Sequence, residues 1–389
     1  QLLTAAGQRC ATIGTLGFGF PGALRSQAVD LTTPDAVSLQ RFARMALQEG
    51  ARALAIEVSS IGLDQDRVEG IGFDIALFTN LSRDHLDYHP DMAAYGDAKR
   101  KLFDCPTLSH AVVNLDDEFG RHLAQHLLAR DLHLTGVSTQ PDAGIELPLS
   151  CRLRAESIEH YGAGMRFAVA CERKGTVDRA VVEVSLIGDF NVTNLLGVLG
   201  VALACEISLR EAAEHAAALR APPGRLQRVT TGARGAAGPM VIVDYAHTPD
   251  AIAKALAALR PLARARHGRL CIVFGAGGDR DRGKRPVMGE VAARGAEDIV
   301  LTSDNPRGEN AETIIDQVAT GIPPGVPFRR NADRAQAIQD ALQSAQDQDV
   351  ILIAGKGHEQ YQEILGRRLP FSDYAVARRV LLAREAGAP

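Results

Sequence analysis

No uninterrupted apolar run in this sequence is long enough to cross a bilayer, and no signal-peptide pattern is visible. The expectation is a cytoplasmic protein without a membrane partner. The six cysteines (Cys10, Cys105, Cys151, Cys171, Cys205, Cys271) are scattered and form no CxxC pair. That fits a reducing compartment and excludes both a disulfide framework and a cysteine zinc site. Charge of one sign is also lacking. A net charge of −4 and a pI near 6.3 argue against a nucleic-acid or membrane-surface binder. There is no internal repeat, no low-complexity segment and no Walker A sequence.

What is present is a soluble, globular composition: 46% hydrophobic and 23% charged residues over 389 positions, too many for one ordinary core. Short apolar runs alternate with helical patterns. Leu54–Val58, Asp74–Thr79 and Ala111–Asn114 read as strands, with Leu39, Phe42, Met45 and Ala46 on one face of a helix before them. The alternations Met165–Val169 and Val181–Ser185 predict hairpin strands between 150 and 187, and an apolar helix follows from Asn191 to Cys205. Pro222-Pro223-Gly224 marks a domain boundary. A second alternating series then runs through strands Val241–Val243, Leu270–Phe274, Ile299–Leu301 and Val350–Ile353. Helices follow from Thr248, Arg285, Ala311 and Ala332. Thr248-Pro249 predicts an N-cap with Pro at the first helical position. Two such series predict an α/β protein with two parallel-sheet domains, 1–224 and 225–389.

Several strand ends carry chemistry. Ser303-Asp304-Asn305-Pro306-Arg307 follows a strand and precedes a helix. In open α/β sheets, ligands bind beyond the strand C-termini. A guanidinium suits a carboxylate, a carboxylate suits an ammonium, and an amide serves both, so the stretch can grip a zwitterionic amino-acid head. It is equally an Asn-Pro turn with a helix start behind it. Glu57 at a strand end can ligate Mg²⁺ or simply face solvent. Thr79–His89 packs two His, two Asp and an Arg into one loop, in which His85 is a metal ligand, a cap or a core-edge residue. By charge alone Lys99 is a surface lysine. Asn191–Asn194 caps a helix or reads a base, and Asp244–His247 lies where phosphate or ribose can bind. Gly275–Arg285 is a glycine-rich basic loop. Gly355–Glu359 is no P-loop, since the upstream Gly and following Ser/Thr are missing.

Taken in order, these segments are specific. From Gln1 to about Leu382 the chain resembles the Mur ligases of peptidoglycan synthesis. The carriers are EVSSIGLDQDR (Glu57–Arg67), TNLSRDHLDYH (Thr79–His89), Lys99, Asn191–Asn194, Gly224-Arg225, DYAHTPD (Asp244–Asp250), Gly277–Pro286, Asp304–Arg307 and Gly355–Glu359. The sequence departs from the related pattern at Leu31 and Ile61, where Asn and His often stand.

The resemblance implies a central ATPase-type mononucleotide-binding domain and a C-terminal Rossmann-like domain. Lys99 matches a carbamylated lysine, whose carbamate would hold Mg²⁺ together with Glu57 and His85; these three are the implied catalytic and metal residues. Thr32, Thr33, Ser59, Gln65 and Arg67 match positions that hold a UDP-muramoyl dipeptide. Asn194, Arg225, Asp244 and His247 match nucleotide contacts. Arg280, Asp304, Asn305, Pro306, Arg307, Gly355 and Glu359 match an amino-acid pocket. The implied reaction is ATP-driven amide formation through an acyl phosphate, joining meso-diaminopimelate to the dipeptide, in a monomer acting on small molecules. A sister ligase for L-lysine, a folylpolyglutamate synthetase and a non-catalytic fragment are the alternatives. In this family a P-loop of the GTNGKT type precedes the helix that opens this chain, and a uridine-holding domain precedes that. The chain is therefore expected to start just after the phosphate loop and, as it stands, to be inactive as a ligase.

Overall fold

The computed structural model describes residues 1–25, 31–82, 84–86, 88–143, 146–162, 164–232 and 238–387. It divides into two compact units: Gln1–Ser185 with Asp189–Leu219, and Leu186–Gly188 with Arg220–Pro389.

The first unit holds two sheets. In one, Cys10–Gly14 pairs in parallel with Ala53–Ile56 and antiparallel with Gly17–Phe20, which in turn pairs with Ala23–Arg25. The helix Ala36–Gln48 packs on it. Asp35 caps that helix by accepting the Ser38 N–H at 3.0 Å. Leu39 and Phe42, three residues apart on one helical face, are buried with Ile13, and Phe42 stacks on Phe18 at 3.9 Å. The other sheet runs Ile75–Phe78, His110–Asn114, His133–Ser138 and Cys151–Tyr161 in parallel, then turns antiparallel through Gly164–Arg173 and Thr176–Val184. The hairpins expected between 150 and 187 are these last strands. The apolar helix Phe190–Ala204 buries Val192, Leu195, Leu196 and Leu199.

The second unit is a six-stranded sheet in the order Gln227–Arg228, Met240–Asp244, Val350–Ala354, Leu270–Phe274, Asp298–Leu301 and Arg329–Arg330. All neighbours are parallel except the first pair. Its inner strands are almost wholly apolar because helices cover both faces. In register, Asp244 and Phe274 both pair with Ala354, and Phe274 with Leu301. The four loops that leave these strand ends are 244–247, 275–284, 302–307 and 355–359. They carry every candidate residue of this unit except Arg225.

The expected α/β class with parallel-rich sheets is therefore what the chain adopts. Thr248 caps Pro249–Ala265 with Pro at the start, as expected. Two details differ. The helix expected from Ala332 begins at Arg334, because Asp333 caps it by accepting the Gln336 N–H at 3.0 Å. The opening helix is a single turn, Leu2–Ala5. Among the described residues no helix is long and apolar enough to cross a membrane.

Candidate functional site

In the first unit one polar cluster gathers six of the candidate residues. Thr33 is buried at its centre. Its hydroxyl donates to the Glu57 carbonyl at 2.9 Å and accepts the Ser59 N–H at 2.9 Å. Ser59 Oγ accepts the Gly62 N–H at 3.0 Å and so starts the short helix Ser60–Asp64. Arg67 donates to the Thr33 carbonyl and to Gln65 Oε1, each at 3.0 Å. Thr32 Oγ1 lies 3.0 Å from Thr15 Oγ1, and the Thr15 N–H donates to Glu57 Oε2 at 2.9 Å. The strand-end loops after Ile13 and Ile56 are thus tied together, with Glu57, Gln65 and Arg67 reaching the surface.

The metal candidates are arranged differently. Lys99 lies in the last turn of the helix Met92–Arg100, a favourable place for a cation. Its Nζ sits 5.1 Å above the Tyr95 ring, and the His85 ring meets the same tyrosine edge-on at 5.7 Å. His85 adopts a φ of +54° and is partly exposed. Burial lowers the Lys99 pKa from its ordinary value, against the opposing charge of Asp84. Among the described residues no hydrogen bond or ion pair joins Glu57 to His85 or Lys99, and no three His, Cys, Asp or Glu side chains converge as a metal site. Mg²⁺ takes oxygen ligands. With Lys99 as an amine, the three residues supply one carboxylate and one imidazole; a carbamate on Lys99 adds the second anionic oxygen donor, so they fit the ion in that form. Arg83 and Asp87 of the same loop lie outside the described residues. The buried histidine here is His89, bonded to Ser60 Oγ at 2.9 Å and stacked on Tyr95.

Asn194, also in the first unit, is exposed on Phe190–Ala204 and bonds the Asn191 amide at 3.1 Å. The other nucleotide candidates are in the second unit. Asp244 accepts the Leu226 and Ala246 N–H groups at 2.7 and 2.8 Å. Burial nonetheless pushes its carboxyl above the ordinary value, against those two amides. Arg225 stacks on Tyr245 at 5.2 Å, and the His247 ring packs against the same tyrosine. Arg225, Asp244 and His247 are therefore brought together around Tyr245.

The amino-acid candidates form the best-defined site. Ser303, Asp304 and Asn305 are buried. Asn305 Nδ2 donates to Glu359 Oε2 at 2.9 Å, so the 302–307 and 355–359 loops meet through their candidate side chains. The basic loop lies against the same stretch. The Gly278 N–H donates to the Asn305 carbonyl at 2.9 Å, and a Cβ on Gly278 would overlap the carbonyl of buried Pro306. Arg307, at φ +51°, donates from Nη1 to the Gly278 carbonyl at 2.7 Å and has Nε 3.6 Å from Glu363. A Cβ on Gly277 would stand 3.1 Å from Arg307 Nη1 and 3.6 Å from Arg280 Cγ. Glycine there leaves room for both arginines, and Arg280 itself is exposed. Behind them Arg285, fully buried, clasps both oxygens of Glu309 at 2.8 and 3.0 Å and holds its carboxyl down to about 2.

Gly355 contributes space. Its φ is +120°, and any Cβ would overlap Asp304 Oδ2. Gly355→Ala should therefore strain the backbone by about 1–3 kcal/mol and displace Asp304. The expected outcome is a lower melting temperature together with a higher KM for the amino acid; an unchanged KM would show that Asp304 takes no part in the site.

Sequence reasoning missed the residues that hold this pocket in shape: Lys356, bonded to Asn305 and Glu359; Gln362, which donates to Ser303 Oγ at 2.8 Å and to the Asp304 carbonyl at 2.7 Å; Arg334, which donates to the Ser303 and Ala354 carbonyls; and Arg285. One signal was available for Lys356. A lysine one glycine beyond the apolar run Val350–Ala354 must bury its charge or bend away, and buried charges need partners.

Two α/β units with polar and charged side chains gathered at strand C-termini define a two-domain α/β protein of the class that binds ligands beyond its strand ends. Residues 1–202 match the Mur ligase middle domain, and 224–357 match the Mur ligase glutamate ligase domain. The chain belongs to the Mur ligase family, whose members are ATP-dependent ligases that form amide bonds. It is 50% identical over 96% of its length to the UDP-N-acetylmuramoyl-L-alanyl-D-glutamate–2,6-diaminopimelate ligase of Acidovorax sp. (strain JS42), covering 71% of that protein. It is 48% identical over 98% of its length to the ligase of the same name from Janthinobacterium sp. (strain Marseille), covering 74%. A solved structure of a ligase of that name superimposes with a TM-score of 0.68 at 36% identity, over 98% of this chain and 74% of that one. Escherichia coli FolC with ADP shares the fold, with a TM-score of 0.62 at 18% identity, over 99% of this chain and 85% of that one.

Proposed function

We propose that the protein expressed from its whole gene carries out ATP-dependent amide formation between the D-glutamyl carboxylate of UDP-N-acetylmuramoyl-L-alanyl-D-glutamate and an amine of meso-diaminopimelate, in the cytoplasm. The observation that carries the amino-acid assignment is the pocket at the ends of Asp298–Leu301 and Val350–Ala354. The loops at these strand ends carry the cations Arg280 and Arg307 and the carboxylates Asp304 and Glu359, with Glu359 bonded to Asn305. Such a pocket suits an amino acid with charges of both signs at each end.

In this reading, Thr32, Thr33, Ser59, Gln65 and Arg67 hold the dipeptide; Asn194 of the first unit is a nucleotide contact, and so are Arg225, Asp244 and His247 of the second. Glu57, His85 and carbamylated Lys99 would bind Mg²⁺, which supplies charge neutralisation on a transferring phosphoryl group. A D-glutamyl carboxylate oxygen attacks the γ-phosphorus of ATP, the bridging P–O bond to the β-phosphate breaks, and an acyl phosphate and ADP result. The amine of the incoming amino acid attacks its carbonyl carbon, and phosphate leaves with the C–O bond that breaks. Asp304 and Glu359 carry the sign that suits an ammonium, and Arg307 carries the sign that suits a carboxylate.

The test is a competition between meso-diaminopimelate and L-lysine, which lacks the distal carboxylate. Arg307 Nη2 has no hydrogen-bond partner among the described residues and is available to such a group. A charged hydrogen bond contributes about 1.5–3 kcal/mol, so Arg307→Ala should cost roughly 10- to 100-fold in kcat/KM for meso-diaminopimelate, mainly through KM. The preference over lysine should shrink by the same factor. Equal use of lysine by the unmutated enzyme would overturn the specificity and leave the ligase chemistry standing.

A further inference from the structure

Lys356 is 0% exposed. A buried ammonium is costly unless its hydrogens are taken up. Its Nζ donates to Asn305 Oδ1 at 2.9 Å and to Glu359 Oε2 at 2.7 Å, and lies 5.6 Å from the centre of the Tyr361 ring. Asn305 Oδ1 also accepts the Glu363 N–H at 2.9 Å. An ammonium and a backbone N–H can only donate. The amide atom they share is therefore the oxygen, and the NH₂ end faces Glu359, to which it donates.

The orientation of the Asn305 amide is thus dictated from inside the protein. So is the choice of Glu359 oxygen. Two groups are left over: one Asn305 N–H and Glu359 Oε1, neither with another partner among the described residues. They are a donor and an acceptor side by side. That is the pattern needed by a carbon bearing both a carboxylate and an ammonium.

We infer that Lys356 is a positioning residue for the amino-acid step: it locks the Asn305–Glu359 pair so that one amide N–H and one carboxylate oxygen are presented to a zwitterionic amino-acid end. The inference rests on the proposal that this pocket receives the incoming amino acid. Lys356 acts through its two neighbours, and its removal should fall on amino-acid binding. Without it the Glu359 carboxylate loses its pinning cation, and Asn305 Oδ1 keeps only the Glu363 N–H.

The experiment is steady-state kinetics on the protein expressed from its whole gene, with meso-diaminopimelate, ATP and UDP-muramoyl dipeptide each varied in turn. Turnover of meso-diaminopimelate by the unmutated enzyme tests the underlying function; its failure would sink that proposal before the variants are made. Lys356→Met should raise the KM for the amino acid about tenfold or more, with the other two KM values within twofold. Lys356→Gln, which can still donate, should fall between. In a Glu359→Gln background, Lys356→Met should add less than threefold, because the partner it acts on has already lost its charge. An amino-acid KM within twofold of the unmutated value in Lys356→Met would overturn the inference. So would a full tenfold effect on top of Glu359→Gln, or an equal rise in all three KM values. Should Lys356→Met alone fail to fold, the comparison of Glu359→Gln with the double variant, which removes both charges, applies the same criterion.

Discussion

Lys99→Arg should abolish turnover while leaving the fold intact. The substitution keeps a positive charge at the end of Met92–Arg100, where a cation favours the helix, and keeps a long stem over Tyr95. A surface lysine would accept it within about 0.5 kcal/mol of stability and with no kinetic effect. A carbamate would not survive it. Carbamylation needs a neutral amine to attack CO₂, and burial lowers the Lys99 pKa, which enlarges the neutral fraction at pH 7. Arginine stays protonated at any working pH and cannot form the anion. The loss expected is on the order of a thousandfold in kcat, the scale of removing one preorganised electrostatic contact from a transition state. Melting temperature and circular dichroism should stay close to those of the unmutated enzyme. Removing dissolved CO₂ should lower the unmutated rate, and bicarbonate should restore it. A normal rate in Lys99→Arg would return this residue to a half-buried surface lysine.

The second unit was more legible in sequence than the first, for a physical reason. Its parallel strands are buried on both faces, so Val241–Val243, Leu270–Phe274 and Val350–Ile353 stand out as unbroken apolar runs. The loops after them inherit their positions from the sheet, and Asp304–Arg307 and Gly355–Glu359 fall at neighbouring strand ends. The first unit's opening strands, Cys10–Gly14, Gly17–Phe20 and Ala23–Arg25, have no counterpart in the sequence expectations. Glycines alternate with phenylalanines in Gly17–Phe20, a weak local strand signal, and Phe18 there packs on Phe42 from a later helix. The metal candidates show a different limit. Spacing does not reveal that Lys99 and His85 share Tyr95 while Glu57 is engaged by Thr15. The same holds for Thr33: its hydroxyl, a candidate substrate contact, is occupied by the Glu57 carbonyl and the Ser59 amide.

Least legible of all was the bracket beneath the amino-acid pocket, whose removal should have the largest effect on stability. Arg334 and Asp373 are both 0% exposed and pair at 2.7 and 2.8 Å. The guanidinium also donates to the Ser303 carbonyl at 3.1 Å and to the Ala354 carbonyl at 2.9 Å. Those carbonyls lie at the two strand ends from which the pocket loops depart, and Asp373 opens the last helix, Asp373–Glu385. The partners are 20 to 39 residues away in sequence, so no local pattern announces them. Arg334→Met strands a buried carboxylate and two carbonyls, which should cost about 3–5 kcal/mol. For a unit of this size that is a fall of roughly 6–20 °C in melting temperature. Replacing both charges, as in Arg334→Met with Asp373→Leu, should recover most of the loss, since apolar residues of similar volume often match a buried pair. The recovered protein is the informative one. If the bracket also aligns the two loops, its KM for the amino acid should stay several-fold high although its stability has returned. A double variant with both stability and KM restored would confine the pair to holding the sheet together. Near-normal stability in Arg334→Met alone would mean that water reaches Asp373 and that the buried pair is not what fastens the last helix.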